Sequence, residues 1–152
     1  MVYPAPSEMH ITDRPGTVFV IASTPLSVRE ALCTMLRHPV MAPLNPEARG
    51  SAELVLAEAL NNIVEHAYCC EDGDINVVLC VRNARLFCEV IDAGIAMPNN
   101  VLPAGLAQPI TDDQDLPEGG YGWFLIRSLT QNLTYQRKDA HNHLTFQLDI
   151  EQ

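Results

Sequence analysis

The sequence is poor in positive charge, and this limits what the protein can bind. Only nine of its 152 residues are Lys or Arg, against nineteen Asp or Glu, and the formal net charge is −10. Proteins that bind nucleic acid without sequence preference neutralise phosphates with Lys and Arg, so the composition argues against a general nucleic-acid surface. The acidic charge is better explained as a contribution to solubility.

The sequence also lacks a long apolar run and cysteines at metal-site spacing. No stretch approaches the roughly twenty apolar residues of a membrane span, and residues 1–15 are polar and contain proline, unlike a signal peptide. Five cysteines are present, and no two have the C-x-x-C spacing of a zinc or redox site. We therefore expect a cytoplasmic protein with free thiols, in which Cys69 and Cys70 form a buried pair at a helix end.

The chain is long enough for one hydrophobic core. With 47% hydrophobic residues, its 152 residues are too few for two ordinary domains. We expect an arm at residues 1–15 and a single domain at residues 16–152.

Apolar periodicity and turn residues predict the order of the elements. Strands are predicted at 17–22, 75–82, 86–92, 133–137 and 144–150, and helices at 26–37, from 45–51 to about 68, and at 121–132. Asn45 and Ser51 are both candidate caps of the second helix. The order predicts an α+β fold of two layers, a two-layer α/β sandwich with helices on one face of a mixed, mostly antiparallel sheet.

The second predicted helix carries two polar residues on one face. Glu58 and Asn62 are four residues apart, which places both on the same side of an α-helix. A carboxylate beside a carboxamide can offer a general base next to an oxygen ligand for a hard cation, as phosphoryl transfer requires. The alternative is an exposed polar pair on an amphipathic helix. His66, one turn further on, either approaches the same site or packs in the core.

Asp92 ends a predicted strand two residues before Gly94. Its carboxylate would be drawn inward with the apolar residues on its side of the strand, which are Leu86, Cys88 and Val90. A buried carboxylate needs a hydrogen-bond donor, and an Asx-type turn at the strand end is one source. A long segment at about residues 95–118 follows, and such segments within compact domains are usually lids or binding loops.

Three glycines lie just before or within the first turn of the third predicted helix: Gly119, Gly120 and Gly122. Backbone amides and the helix dipole at this position favour an anion such as triphosphate, and glycine permits its close approach. A hinge for the lid is the competing explanation. The two are compatible, because a lid that closes over phosphate needs both.

In this order, the three segments resemble the nucleotide-binding boxes of the Bergerat, or histidine kinase-like, ATPases. The segment AEALNNIVEHAY at residues 57–68 resembles the N box of bacterial anti-sigma-factor serine/threonine kinases. DAGIAMP at 92–98 resembles their first glycine box, and GGYGWFLIR at 119–127 resembles their second. The resemblance extends over most of the chain and implies a Bergerat-type fold that binds ATP and Mg²⁺.

The resemblance implies a role for each box. Asn62, and not the adjacent Asn61, is the implied Mg²⁺ ligand, and Glu58 is the base that takes a proton from the attacking hydroxyl of a partner protein. Asp92 is implied to accept a hydrogen bond from the adenine amine, while Gly94 lets the backbone pass close to the base. We favour this over a simple Asx turn, because the pair leads into a lid and not into a tight hairpin.

The chain departs from the family pattern in two places. The first glycine box has Ala96 where a second glycine of a D-x-G-x-G pattern would stand, a loss that this subfamily often tolerates. The last strand has residues 143–145 where many relatives place a Gly-Thr pair near the adenine. The sequence therefore assigns no adenine contact on that strand.

Our leading hypothesis is an ATP-dependent serine/threonine kinase that resembles the anti-sigma factors of bacterial partner switching. It would phosphorylate a small antagonist protein and sequester a sigma factor or similar regulator, and by analogy it would be a homodimer. A second hypothesis is a nucleotide-gated protein-binding module with vestigial catalysis, against which the retention of Glu58 argues. A third, the catalytic core of a sensor histidine kinase, is disfavoured because no segment offers a phospho-accepting helical hairpin. We expect no nucleic-acid or membrane partner.

Overall fold

The computed structural model describes residues 16–105 and 121–150. The predicted arm at residues 1–15 lies outside the described residues, and so do residues 106–118 of the predicted lid together with Gly119 and Gly120. The described elements, in chain order, are β1 (Thr17–Ala22), α1 (Pro25–Arg37), α2 (Pro46–Asn62), β2 (Asp74–Arg82), β3 (Arg85–Asp92), α3 (Tyr121–Leu129), β4 (Gln131–Lys138) and β5 (His141–Asp149). Short 3₁₀ helices occur at Pro39–Met41 and Pro98–Asn100.

The described strands form one sheet in the order β1-β2-β3-β5-β4. Its register aligns buried apolar residues across the strands, as where Leu79, Cys88 and Phe146 lie side by side. Helices α1, α2 and α3 bury their apolar faces in the same core. This confirms the predicted two-layer α+β fold. The pairing is antiparallel throughout the described sheet and not mixed.

Side-chain caps determine where the first two helices begin. Thr24 Oγ1 accepts a hydrogen bond from the backbone N–H of Ser27 at 3.1 Å, directly before Pro25. Asn45 Oδ1 accepts from the backbone N–H of Ala48 at 2.7 Å, so Asn45 and not Ser51 is the cap of α2. None of the helices in the described residues is both long enough and apolar enough to cross a membrane.

Helix α2 does not continue as an α-helix to its predicted end. After Asn62 it widens into a π-helix over Ile63–Ala67, and Tyr68 ends it. A π-turn holds more residues than an α-turn, and it re-aims the backbone that follows. The wider turn therefore begins directly after the predicted metal ligand.

The hairpin between β2 and β3 is tighter than predicted. Asn83 and Ala84 form a two-residue loop with φ of 52° and 58°. Positive φ at both positions gives a turn whose twist matches that of the flanking strands. The strands predicted at 75–82 and 86–92 leave three residues between them, which is one too many, because Arg85 already pairs with Arg82.

Residues 95–105 of the predicted lid are described, and they are attached to the core. The backbone N–H of Met97 donates to Tyr135 Oη at 2.9 Å. Arg127 donates twice to the carbonyl oxygen of Pro103, at 3.0 and 2.8 Å. Gly105, with φ of +63°, packs so closely on α3 that a Cβ there would lie 2.8 Å from the backbone of Trp123. This first part of the segment is thus held against β4 and α3.

Candidate functional site

The packing of α2 against α3 brings two of the predicted boxes into contact. Gly122 lies in the first turn of α3, and a Cβ placed on it would be 2.5 Å from Glu58 Oε2 and 3.9 Å from Asn62 Nδ2. Glu58 and Asn62 are both half-buried. The predicted polar face of α2 therefore points at the start of α3. A side chain larger than that of glycine at position 122 would displace the Glu58 carboxylate.

The amide of Asn62 is incompletely paired. Its Nδ2 is buried and has no hydrogen-bond partner among the described residues. Leaving a buried donor unpaired costs free energy, so the position favours a group that binds there. Asn62 also offers an amide oxygen, the ligand type that Mg²⁺ takes when it shares its coordination with phosphates and water. The residues present thus fit Mg²⁺ bound together with a nucleotide.

Asp92 is the last residue of β3, and only 4% of it is exposed. Its Oδ1 accepts hydrogen bonds from the backbone N–H of Gly94 at 2.9 Å and from Asn142 Nδ2 at 2.8 Å. Burial raises the pKa of the Asp92 carboxyl, although both donors oppose the shift. The bond from Gly94 is the Asx-type turn that the sequence offered as an alternative. Both bonds end on Oδ1, so neither uses Oδ2.

Asn142 is the residue that sequence reasoning missed. It lies opposite Asp92 in the sheet and is 5% exposed. Its Nδ2 donates to the carbonyl oxygen of Ile95 at 2.9 Å as well as to Asp92. Its Oδ1 accepts from Tyr135 Oη at 2.6 Å and from Arg137 Nη1 at 3.0 Å. These partners fix the orientation of the amide and hold it against the carboxylate.

A sequence signal for Asn142 did exist. Asn142 shares the apolar side of β5 with Leu144 and Phe146, where a polar residue needs a buried partner. The comparison of this strand with the family pattern considered residues 143–145, which do not include Asn142.

Gly94 lies against the end of the π-helix. A Cβ on Gly94 would be 2.4 Å from the carbonyl oxygen of Ala67, and the backbone N–H of Ile95 donates to that same oxygen at 2.9 Å. Arg137 Nη1 donates to the carbonyl oxygen of Gly94 at 2.7 Å. The backbone of residue 67 therefore requires glycine at this position, whatever binds on the other side.

Other predicted placements differ from the structure. The side chain of His66 is 69% exposed beside Glu65, so it does not pack in the core. The predicted burial of Cys69 and Cys70 is wrong, because both follow the helix end in a turn that faces solvent. Asn61 is exposed, unlike Asn62.

Comparison with known proteins agrees with the geometry. The family described as histidine kinase-like ATPase domain matches residues 21–148. A segment of 99 residues, 64% of the chain, is 36% identical to the serine/threonine-protein kinase BtrW of Bordetella bronchiseptica and covers 68% of that protein. A segment of 86 residues, 53% of the chain, is 33% identical to the serine-protein kinases RsbW of Bacillus thuringiensis and Bacillus cereus. That match spans 52% of each RsbW protein, or about half its length.

Proposed function

Because the chain belongs to the family of histidine kinase-like ATPase domains, we propose that it is an ATP-dependent serine/threonine kinase of the anti-sigma-factor type. It phosphorylates a small antagonist protein on Ser or Thr, and it sequesters a sigma factor or similar regulator in partner switching. It works as a homodimer in the cytoplasm. The names of BtrW and RsbW, both protein kinases, support the reaction class.

One observation carries this proposal: Glu58 and Asn62 meet Gly122 at the start of α3. A helix start with a glycine in its first turn suits the phosphates of a nucleotide. The amide oxygen of Asn62 suits a divalent cation beside them, and its unpaired Nδ2 can donate to a phosphate oxygen. The nearby carboxylate of Glu58 then lies where a proton acceptor for an attacking hydroxyl is needed.

Each residue of the site has a defined task in this proposal. Asp92 Oδ2 accepts a hydrogen bond from the exocyclic amine of adenine, since Oδ1 already accepts hydrogen bonds from Gly94 and Asn142. Asn62 holds Mg²⁺, which neutralises phosphate charge when bound. Glu58 accepts the proton of the partner's hydroxyl as that oxygen takes the γ-phosphoryl group from ATP. Gly119 and Gly120, which lie outside the described residues, are assigned to phosphate binding with Gly122 because the second glycine box resembles that of the family.

Glu58→Gln tests the assignment of catalysis. Because glutamine has the same size but cannot serve as the base, we expect ATP affinity to be retained and phosphoryl transfer to fall about 10²-fold or more. Transfer is measured with labelled ATP and candidate antagonist proteins, and affinity by calorimetry. Glu53→Gln, an exposed position on the same helix, is the matched control and should transfer at the original rate.

Two outcomes would contradict the kinase assignment. Equal transfer by the Glu58→Gln variant would show that Glu58 is not the base. Tight ATP binding with no transfer to any antagonist would favour the nucleotide-gated binding module with vestigial catalysis.

A further inference from the structure

Two adjacent cysteines outside the predicted catalytic groups are in contact. Cys69 and Cys70 are both exposed, and their Sγ atoms are 3.4 Å apart. Contact with Cys69 raises the pKa of the Cys70 thiol. Two exposed thiols in contact are the arrangement from which an oxidant produces a disulfide.

The residue before this pair links it to the first glycine box. Tyr68 Oη donates to the carbonyl oxygen of Asp74 at 2.9 Å and accepts the backbone N–H of Ala93 at 2.7 Å. A Cβ on Gly73 would lie 2.3 Å from the Tyr68 ring. The loop from 68 to 74 is thus closed by one side chain, which also fixes the residue directly after Asp92.

We propose that Cys69 and Cys70 form a thiol modification site, and that its closure to a disulfide weakens adenine-nucleotide binding. The second half of the proposal rests on the proposed function. Hydrogen peroxide is the oxidant class considered. One cysteine of the pair, as its thiolate, attacks a peroxide oxygen to give a sulfenic acid and hydroxide, and the thiol of the other then displaces water from that sulfur. Two thiols and one peroxide thereby become one disulfide and two waters.

Closure must move the backbone. Adjacent Cα atoms are fixed at about 3.8 Å apart across a trans peptide, which is shorter than the roughly 4.4 to 6.8 Å that disulfides usually span, so the ring that closes between residues 69 and 70 is strained and twists the backbone torsions around it. Any adjustment at residues 69 and 70 acts directly on Tyr68 and on Ala67, whose carbonyl oxygen accepts from Ile95 at 2.9 Å. Both hydrogen bonds position the backbone on either side of Gly94. A change there alters the nucleotide contact proposed for Asp92.

To test the proposal, the full chain is treated with hydrogen peroxide. Its free thiols are then counted, and its intact mass is measured. We expect two of the five thiols to be lost because they form an intramolecular disulfide. The oxidised protein should be lighter by the mass of two hydrogen atoms, and a dithiol reductant should restore both thiols. ATP affinity, measured by calorimetry, should fall about fivefold or more in the oxidised protein. Cys33→Ser, which removes another exposed thiol, should behave like the original, whereas Cys70→Ser should form no such disulfide.

Three results would overturn the proposal: five free thiols after treatment, a disulfide between two molecules, or unchanged ATP affinity after closure. Amide hydrogen exchange at residues 93–95 provides a readout without nucleotide. It should become faster on oxidation, and unchanged exchange also overturns the proposal. If the reduced protein fails to bind ATP, the proposed function fails, while thiol counts and exchange still decide whether the site closes and loosens the glycine box.

Discussion

At the scale of the residue, the site depends on a buried carboxylate and the amide that holds it. Asp92 lies in the apolar row of β3, and desolvation raises its pKa. Asn142 offsets part of that cost by donating to Oδ1 from the neighbouring strand. Since Asn142 is itself held by Tyr135 and Arg137, the carboxylate has one fixed orientation before any ligand binds. This preorganisation favours a ligand that presents a single N–H donor.

Asn142→Ala should weaken ATP binding about tenfold. Alanine removes the donor to Asp92, and a hydrogen bond to a charged group contributes about 1.5 to 3 kcal/mol. Calorimetric titration with ATP and magnesium measures the change. Gln136→Ala removes an exposed amide from the neighbouring strand and should leave affinity unchanged. Equal affinity in the Asn142 variant would mean that Asp92 does not need this donor to bind nucleotide.

At the scale of the element, two close approaches between neighbouring elements build the site, and glycine permits each one. Gly122 lets α3 approach the polar face of α2, where the nearest obstacle is the flexible end of Glu58. Gly94 lets β3 approach the π-helix, where the obstacle is the rigid backbone of Ala67. The two glycines therefore differ in what a substitution would disturb, because a side-chain end can move and a backbone carbonyl cannot do so cheaply.

Gly122→Ala should separate stability from catalysis. The new methyl group would push the Glu58 carboxylate aside, so we expect phosphoryl transfer to fall about 10²-fold. Thermal unfolding should change little, because alanine also improves helix propensity by about 1 kcal/mol. Gly50→Ala, on α2 with no atom within 4 Å of the added Cβ, should stabilise the protein without altering transfer. Full transfer by the Gly122 variant would rule out this placement of Glu58.

At the scale of the whole molecule, folding buries polar groups at the site without full hydrogen bonding, and this lowers stability until a ligand binds them. The buried Nδ2 of Asn62 has no partner in the described part of the chain, and Asp92 is desolvated. A ligand that binds only the folded state stabilises it in proportion to the logarithm of its concentration. The free protein should therefore be markedly less stable than its nucleotide complex.

ATP with Mg²⁺ should raise the thermal midpoint, by an amount equivalent to about 2.7 kcal/mol at a hundredfold excess over Kd. Chelation of the metal should reduce that shift. In Asn62→Ala we expect a smaller shift that no longer responds to the chelator, while Asn61→Ala, at the exposed adjacent position, should behave like the original protein. Differential scanning calorimetry measures all three. The metal assignment fails if Asn62→Ala keeps the full response to the chelator.

The sequence by itself determined the order of the described helices and strands, although the predicted third helix, 121–132, ends at Leu129 because β4 begins at Gln131. Asn45 before Pro46 predicted a helix start, and the spacing of Glu58 and Asn62 predicted a shared face, because such signals act over a few residues. Alternating apolar residues likewise predicted the strands, and inward-facing Asp92 followed from its neighbours in β3.

Only the tertiary structure decided which distant groups meet. Asn142 lies fifty positions from Asp92, and their pairing depends on the register between β3 and β5. Gly94 fits against Ala67 because the π-helix carries that carbonyl oxygen to the end of β3. No local pattern encodes these contacts, since they arise when whole elements pack and their ends converge.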